Sequence, residues 1–501
     1  MKSDNELYRA LRARSCEELW REAEALAALP EPGRSRRAAV VRAVGVVFAD
    51  RADEAGKARA REWLRGLMAD PSEKIRRYAA AALPKLGDDR GAEGALLARL
   101  PGASSESERR ALREALGKVG GRATLDSGVA EGSDVGRLLA RAARQDNPGS
   151  VDEGALLPAG IDLAFRCRPG LETLLAEELA ERLPEVRPAG VSPGRVLVRA
   201  EGRLRVADLL RPRVAASVAV VLGEVRARSA PAAAQPIALR LAGHVGATVL
   251  RAATRGAPRY RIEAPEGLAG ADFHRAVADA TRALAPDLLN DARGAPWSLD
   301  LLPIAGGVRL ELRPRFIPDP RFAYRTGDVP AASHPPLAAA MARLAGRREG
   351  DVVWDPFCGS GLELVERALL GGVSLLVGGD LDPAAVAVAR ANLGAAGLAG
   401  ARARLLVGDF REHRKVPELT AGTVSLVLTN PPMGRRVPVK DLKGLIRDLF
   451  AAASDVLSPG GRLVFPNPVR VGPADDRLRP AGAADVDLGG FTCRLERWER
   501  R

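Results

Sequence analysis

The chain has 501 residues, enough for two to four domains and several cores. A formal charge of +13 and a pI near 10.2 suit a polyanionic partner, most simply nucleic acid, although arginine carries nearly all of it, as a GC-rich coding sequence also produces. Four scattered cysteines with no CxxC pair exclude a disulfide framework and a zinc knuckle and point to a reduced, cytoplasmic setting, while the lack of an apolar run near ~18 residues or of an N-terminal apolar core excludes a membrane span and a secretory signal.

Residues 1 to about 150 read as helical. Apolar positions recur every three and four residues, and strand-type runs are missing. Arg76 to Gly87 lines up with Arg109 to Gly120, and Asp70-Pro71 opens the first copy as cap and first helical residue. Paired helices of this kind stack because one pair cannot bury its apolar face alone. An irregular bundle fits nearly as well. Either is an interaction module for a protein partner, because no catalytic cluster lies within it. Residues 122–160 are rich in Gly, Asp and Ser and read as a linker with one helix over Val135 to Arg144.

From about 160 to 325 the period changes. Strands are expected at Ile161–Cys167, Arg195–Val198, Ser217–Leu222, Arg259–Ala264 and Val308–Leu312, and helices at Gly170–Leu183, Pro236–Ala252 and Ala271–Leu284. The mixture suits a small α+β domain. His244 and His274 have no metal-ligand spacing. Arginines are frequent and aromatics sparse, so RNA bound here is held through its backbone and shape.

From 326 to 501 strands and helices alternate. Val352-Val353-Trp354 is a short strand, Asp355-Pro356-Phe357-Cys358-Gly359-Ser360-Gly361 a glycine turn, and Leu362 to Leu370 a helix. Glycines let a backbone approach a ligand closely, and the free N–H groups of a helix start suit an anion. Ser374 to Asp380, Arg404 to Asp409 and Thr423 to Leu428 are further strands with polar residues at their carboxyl ends, where ligands of open α/β sheets bind. Asp382-Pro383 caps a helix from Ala384 to Leu393. Asn430-Pro431-Pro432-Met433-Gly434 follows the fourth strand. Ser458-Pro459-Gly460-Gly461 leads into a fifth, and Asp487 to Trp498 holds a glycine pair and the last.

Residues 351–501 resemble a class I S-adenosylmethionine-dependent methyltransferase. Asp355 to Gly361 is similar to its cofactor loop, and Asn430 to Gly434 to the Asn-Pro-Pro-aromatic motif of exocyclic-amine methylases. The order Phe322-Ala323-Tyr324-Arg325, Ser333-His334-Pro335-Pro336, then the glycine turn resembles RNA methyltransferases with a THUMP domain ahead of the catalytic one, and the first stretch resembles HEAT repeats. The fold implied is α/β: a Rossmann-like methyltransferase domain at 326–501, an α+β THUMP-like domain at 160–325 and an all-α HEAT-like segment with its linker at 1–150. A dehydrogenase is disfavoured, since no GxGxxG turn is present.

The resemblance implies the roles. Asp355, Pro356, Phe357, Gly359 and Gly361 form the cofactor loop, with room at the glycines for the methionine portion. Asp380 holds the ribose, Leu381 packs on the adenine, Asp409 accepts from its amine with Phe410 alongside, and Ser333 and His334 reach the cofactor's carboxylate. For the acids the plain alternative is a helix cap or surface charge. Asn430, Pro431, Pro432 and Met433 carry catalysis, and no metal is implied. Met433 departs from the family's aromatic, so another group stacks on the base, the substrate differs, or activity has decayed. The reading is an RNA methyltransferase acting on a base amine of tRNA or rRNA, guanine N2 before adenine. The alternatives are a protein side-chain amide methyltransferase and an inactive cofactor-binding scaffold.

Overall fold

The computed structural model describes all residues except 1–3, 28–33, 88–89, 130–133, 228, 269, 331, 399–401 and 436–437. Among the described residues the backbone up to Asp146 is helical, with helices that include Arg34–Arg51, Glu54–Gly66, Glu73–Ala82, Arg90–Arg99, Glu106–Val119 and Asp134–Asp146. Leu19, Val44, Leu64, Leu83, Leu112 and Leu116 share their own core. The first copy of the repeated segment carries a buried tie, whereas its counterpart Arg109 pairs with Glu106 at the surface. Arg76 is buried and donates through Nε and Nη2 to the two oxygens of Glu108, at 2.6 and 2.8 Å, tying one helix to the next. The cap differs from expectation: Ser72 precedes the helix, and Asp70 instead accepts from Ser72 N at 2.8 Å.

The middle of the chain is one eight-stranded sheet. Its spatial order is Val186–Ser192, Arg195–Ala200, Asp162–Arg166, Ser217–Arg226, Gly307–Pro314, Trp297–Ile304, Arg259–Glu263, Leu289–Asn290. Ser217–Arg226 and Gly307–Pro314, far apart in sequence, pair antiparallel with Val220 opposite Leu312, which fuses the two halves. Phe165, Val196, Val218, Leu299, Leu310 and Leu312 are buried in one core with residues of the helices Glu172–Arg182, Ala230–Leu241 and Ala271–Leu284. The single helix expected over 236–252 is two, Ala230–Leu241 and His244–Ala252, broken at Gly243, where a Cβ would lie 2.9 Å from the Leu239 carbonyl oxygen.

The last part is a seven-stranded sheet in the order Ala403–Val407, Val373–Asp380, Asp351–Asp355, Val424–Leu428, Leu457–Asn467, Thr492–Arg500, Leu478–Asp487. The first five strands are parallel, and Thr492–Arg500 runs antiparallel between its neighbours. Alternation assigns the faces. Val353, Leu376, Leu426 and Val464 join the core containing the helices Pro335–Ala345 and Leu362–Leu369, while Trp354, Val377, Val427 and Leu463 pack with the helix Leu442–Val456. The strand order reverses between Asp351–Asp355 and Val424–Leu428, so a crevice opens at their carboxyl ends.

The two sheets are bolted together. Glu366 accepts from Arg213 Nε and Nη2 at 2.7 and 2.8 Å and from the Tyr324 hydroxyl at 2.6 Å. Asp487 N donates to the Pro169 carbonyl at 3.1 Å. Gly170 has φ +99°, and a Cβ there would stand 2.0 Å from the Asp485 carbonyl oxygen, so only glycine allows this approach. Among the described residues no helix is long and apolar enough to cross a membrane, and no three His, Cys, Asp or Glu side chains group as for a metal ion.

Candidate active site

The glycine turn spans the tips of the first two strands. Cys358 N donates to the Gly379 carbonyl at 2.9 Å, and Gly359 N to Asp380 Oδ2 at 3.0 Å. Gly359 and Gly361 have φ of +48° and +79°. At Gly361 a Cβ would also press on Leu393 at 2.9 Å, so the turn is held against the helix Pro383–Ala395. Gly378 beneath it is equally constrained, by Leu405 at 2.7 Å and Leu364 at 2.9 Å.

Asp355 lies at the bottom, fully buried. Its Oδ1 accepts from Thr429 Oγ1 at 2.5 Å and Phe357 N at 3.1 Å, while the buried Oδ2 has no partner. Burial, and then the charge of Glu363, push its pKa well up. Pro356 is buried beside it and Phe357 is half-buried. The Phe357 ring sits 4.8 Å from that of Phe410, at the third strand's tip. Asp380 is half-buried, and its Oδ1 accepts from Asp382 N at 3.0 Å. Leu381 next to it is 69% exposed. Asp409 caps the turn after the third strand through Arg411 N and pairs with the Arg411 guanidinium, each at 3.0 Å.

The fourth strand ends at Leu428, and the N–H of the next residue, Thr429, donates to the Val464 carbonyl at 3.1 Å. Asn430 follows, with Pro431 buried and Pro432 and Met433 half-buried. Asn430 Nδ2 donates to Ser333 Oγ at 2.7 Å, and Ser333 Oγ donates to Glu363 Oε1, so the one serine proton goes to Glu363 and not, as expected from the sequence, toward a cofactor carboxylate. Asn430 Oδ1 is buried without a partner. An unsatisfied buried carbonyl oxygen costs free energy unless a ligand donates to it. His334 is exposed at the N-cap of Pro335–Ala345. Partial desolvation of the ring and the charges of Arg168, Arg325 and Arg321 lower its pKa. Beyond Gly434, the Arg435 guanidinium lies 4.1 Å over the ring of Phe491, between the last two strands.

The structure thus gathers Asp355, Gly359, Asp380, Asn430 and Ser333 around one crevice, with Asp409 and Phe410 at the next strand tip. Sequence reasoning missed Thr429, Gly378 and Glu363. Thr429 precedes the Asn-Pro-Pro motif and carried a signal, whereas Glu363 reads as any acid in the first turn of a helix.

Residues 323–468 match the family described as a RMKL-like methyltransferase domain, UPF0020. The tRNA (guanine(6)-N2)-methyltransferase of Thermus thermophilus is 34% identical over 312 residues, spanning 59% of this chain and 86% of that protein. The chain belongs to the THUMP-containing class I S-adenosylmethionine-dependent RNA methyltransferases. The tRNA (guanine(10)-N2)-dimethyltransferase of Methanocaldococcus jannaschii is 32% identical over 143 residues, 28% of this methyltransferase and 39% of its own length. In solved structures, TrmN from Thermus thermophilus superposes with a TM-score of 0.52 at 23% identity, covering 68% of this chain and all of that one. A possible methylase from Clostridium difficile 630 gives 0.53 at 16%, covering 68% and 98%. At these identities the structures speak to the fold alone.

Proposed function

We propose that this methyltransferase transfers a methyl group to the exocyclic N2 amine of a guanine in tRNA. The observation that carries it is the buried, unpartnered Oδ1 of Asn430. A guanine N2 amine has two hydrogens and a lone pair delocalised into the ring. Asn430 Oδ1 and the Pro431 carbonyl each accept one hydrogen, which holds the amine in place and stabilises the positive charge that grows on nitrogen. No strong general base is needed, because the amine acidifies as it is alkylated. Among the relatives, the named substrates are guanines of tRNA and of U6 small nuclear RNA. That favours tRNA over rRNA and leaves the side-chain amide reading without support. Intact Asn430, Asp380 and glycine turn argue against a decayed scaffold.

S-adenosylmethionine fits the crevice and supplies an electrophilic sulfonium methyl. Asp380, with lone pairs left on both oxygens, accepts from the ribose hydroxyls. Leu381 covers the adenine and Asp409 takes its amine beside Phe410. Gly359 and Gly361 leave room for the methionine end, and the arginines around His334 face the polyanion. The helical part, residues 4–146, meets a protein partner, and the enzyme works in the cytoplasm. The test is methyl transfer to transcribed tRNA. Asn430→Ala keeps cofactor affinity within a few fold and lowers turnover by roughly a hundredfold. Near-wild-type methylation by that variant would end the amine mechanism.

A further inference from the structure

Asn430 has an amide, and an amide can present either its oxygen or its nitrogen to the base. Turned the wrong way, it would set two N–H donors against the two of guanine N2, and recognition would become repulsion. The neighbours decide. Ser333 has one hydroxyl hydrogen, which it donates to Glu363 Oε1. Its oxygen is then left to accept from Asn430 Nδ2, at 2.7 Å. The amide oxygen is forced to the opposite side, where it lies buried and free. Ser333 and Glu363 are 7% and 4% exposed, so water does not compete for these groups.

Resting on the amine-methylation reading, we propose that Glu363 is a positioning residue which, through Ser333, fixes Asn430 in its accepting orientation. A carboxylate is the one side chain at this place that only accepts, so it alone commits the serine proton. Burial raises the pKa of Glu363, while the hydrogen bonds from Ser333 and from the backbone, and its place in the first turn of Leu362–Leu369, act the other way and favour the charged form. Glutamine there can donate as well as accept. The serine proton is then released toward Asn430, and the amide has two orientations of similar energy.

The test uses the full chain and transcribed tRNA, with cofactor affinity by calorimetry and melting temperature measured in parallel. Glu363→Gln should lower kcat by about tenfold or more while cofactor Kd and RNA KM stay within about twofold. Ser333→Ala should do the same, and Ser333→Thr, which keeps a hydroxyl, should retain most of the rate. The double variant Ser333→Ala/Glu363→Gln should be no slower than Ser333→Ala alone, because the carboxylate acts only through the serine. Wild-type kcat in Glu363→Gln, additive losses, or a loss that follows cofactor affinity or melting temperature would each overturn the relay. Ser333→Ala and Ser333→Thr carry the test if Glu363→Gln does not fold. Asn430→Ala separates the failures: if it is slow while Glu363→Gln and Ser333→Ala are fast, the amine reading stands and the relay falls; if it is itself fast, both fall.

Discussion

Two carboxyl groups show how differently one residue type is used at the tips of two neighbouring strands. Asp380 has both oxygens partnered and stands half-open to the crevice. Its replacement by alanine should weaken cofactor binding at least tenfold, since hydrogen bonds to a charged acceptor contribute about 1.5–3 kcal/mol each, and calorimetry on the folded variant checks this. Asp355 is sealed, with one bare oxygen and a raised pKa. An acid whose folded pKa lies above its unfolded value stabilises the fold only below the unfolded pKa, and that contribution is lost as pH rises through the folded one. Asp355→Asn should therefore raise the melting temperature near pH 8 and change it little near pH 4, read by thermal unfolding at both. Asp355, Asp380 and Asn430 were legible because each ends a strand inside a motif. Glu363 was not, because its partner Ser333, and Asn430 beyond it, come from elsewhere in the chain, and no local pattern records a contact of that range.

Among the elements, the strands easiest to miss bear proline or glycine. Val186–Ser192 and Leu478–Asp487 are edge strands, with register shifts at Pro188 and Pro480. Proline cannot donate to a ladder, so such strands sit at edges and lose their alternation. Trp297–Ile304 escaped for another reason. Its first five residues are all buried, with Asp300 paired to Arg313 at 2.7 Å, so neither polarity nor period marks it. In the helical part the repeated arginine was visible, and the buried tie made by its first copy was not. Arg76, Arg99 and Ser104 hold the Glu108 carboxyl far below the usual range, against the cost of burying it. This stability is present above the unfolded pKa of roughly 4.3 and is lost as pH falls through the folded value. Glu108→Gln should cost about 3–5 kcal/mol at neutral pH, because it leaves buried Arg76 without its counter-charge. Denaturant unfolding of the variant at pH 7 and pH 3 should show the difference shrinking in acid.

For the whole molecule, the segment between the helices and the middle sheet packs with the middle part, through a small two-stranded sheet of its own. Ser150–Val151 pairs with Thr254–Arg255, Val151 and Leu157 enter the core, and Arg259 Nη2 donates to the Pro148 carbonyl. Arg144 reaches across to Asp291 at 2.6 Å. A chain beginning at Asn147 should fold, bind cofactor as the full chain does and methylate tRNA. One that is folded yet cannot bind cofactor would make the helical part integral to catalysis.

The fusion of the two halves of the middle part sets a length. Eight strands in one hydrogen-bonded sheet, at ~4.8 Å between neighbours, hold the outer edges roughly 34 Å apart with no joint along the way. The catalytic sheet is clamped at Glu366 and Gly170, beside the third and fourth of these eight strands, so an RNA held at the far edge as well as in the crevice would meet two contacts at a fixed separation. A tRNA lengthened by one base pair between the two contacts should have its methyl group moved to the neighbouring position, or lost.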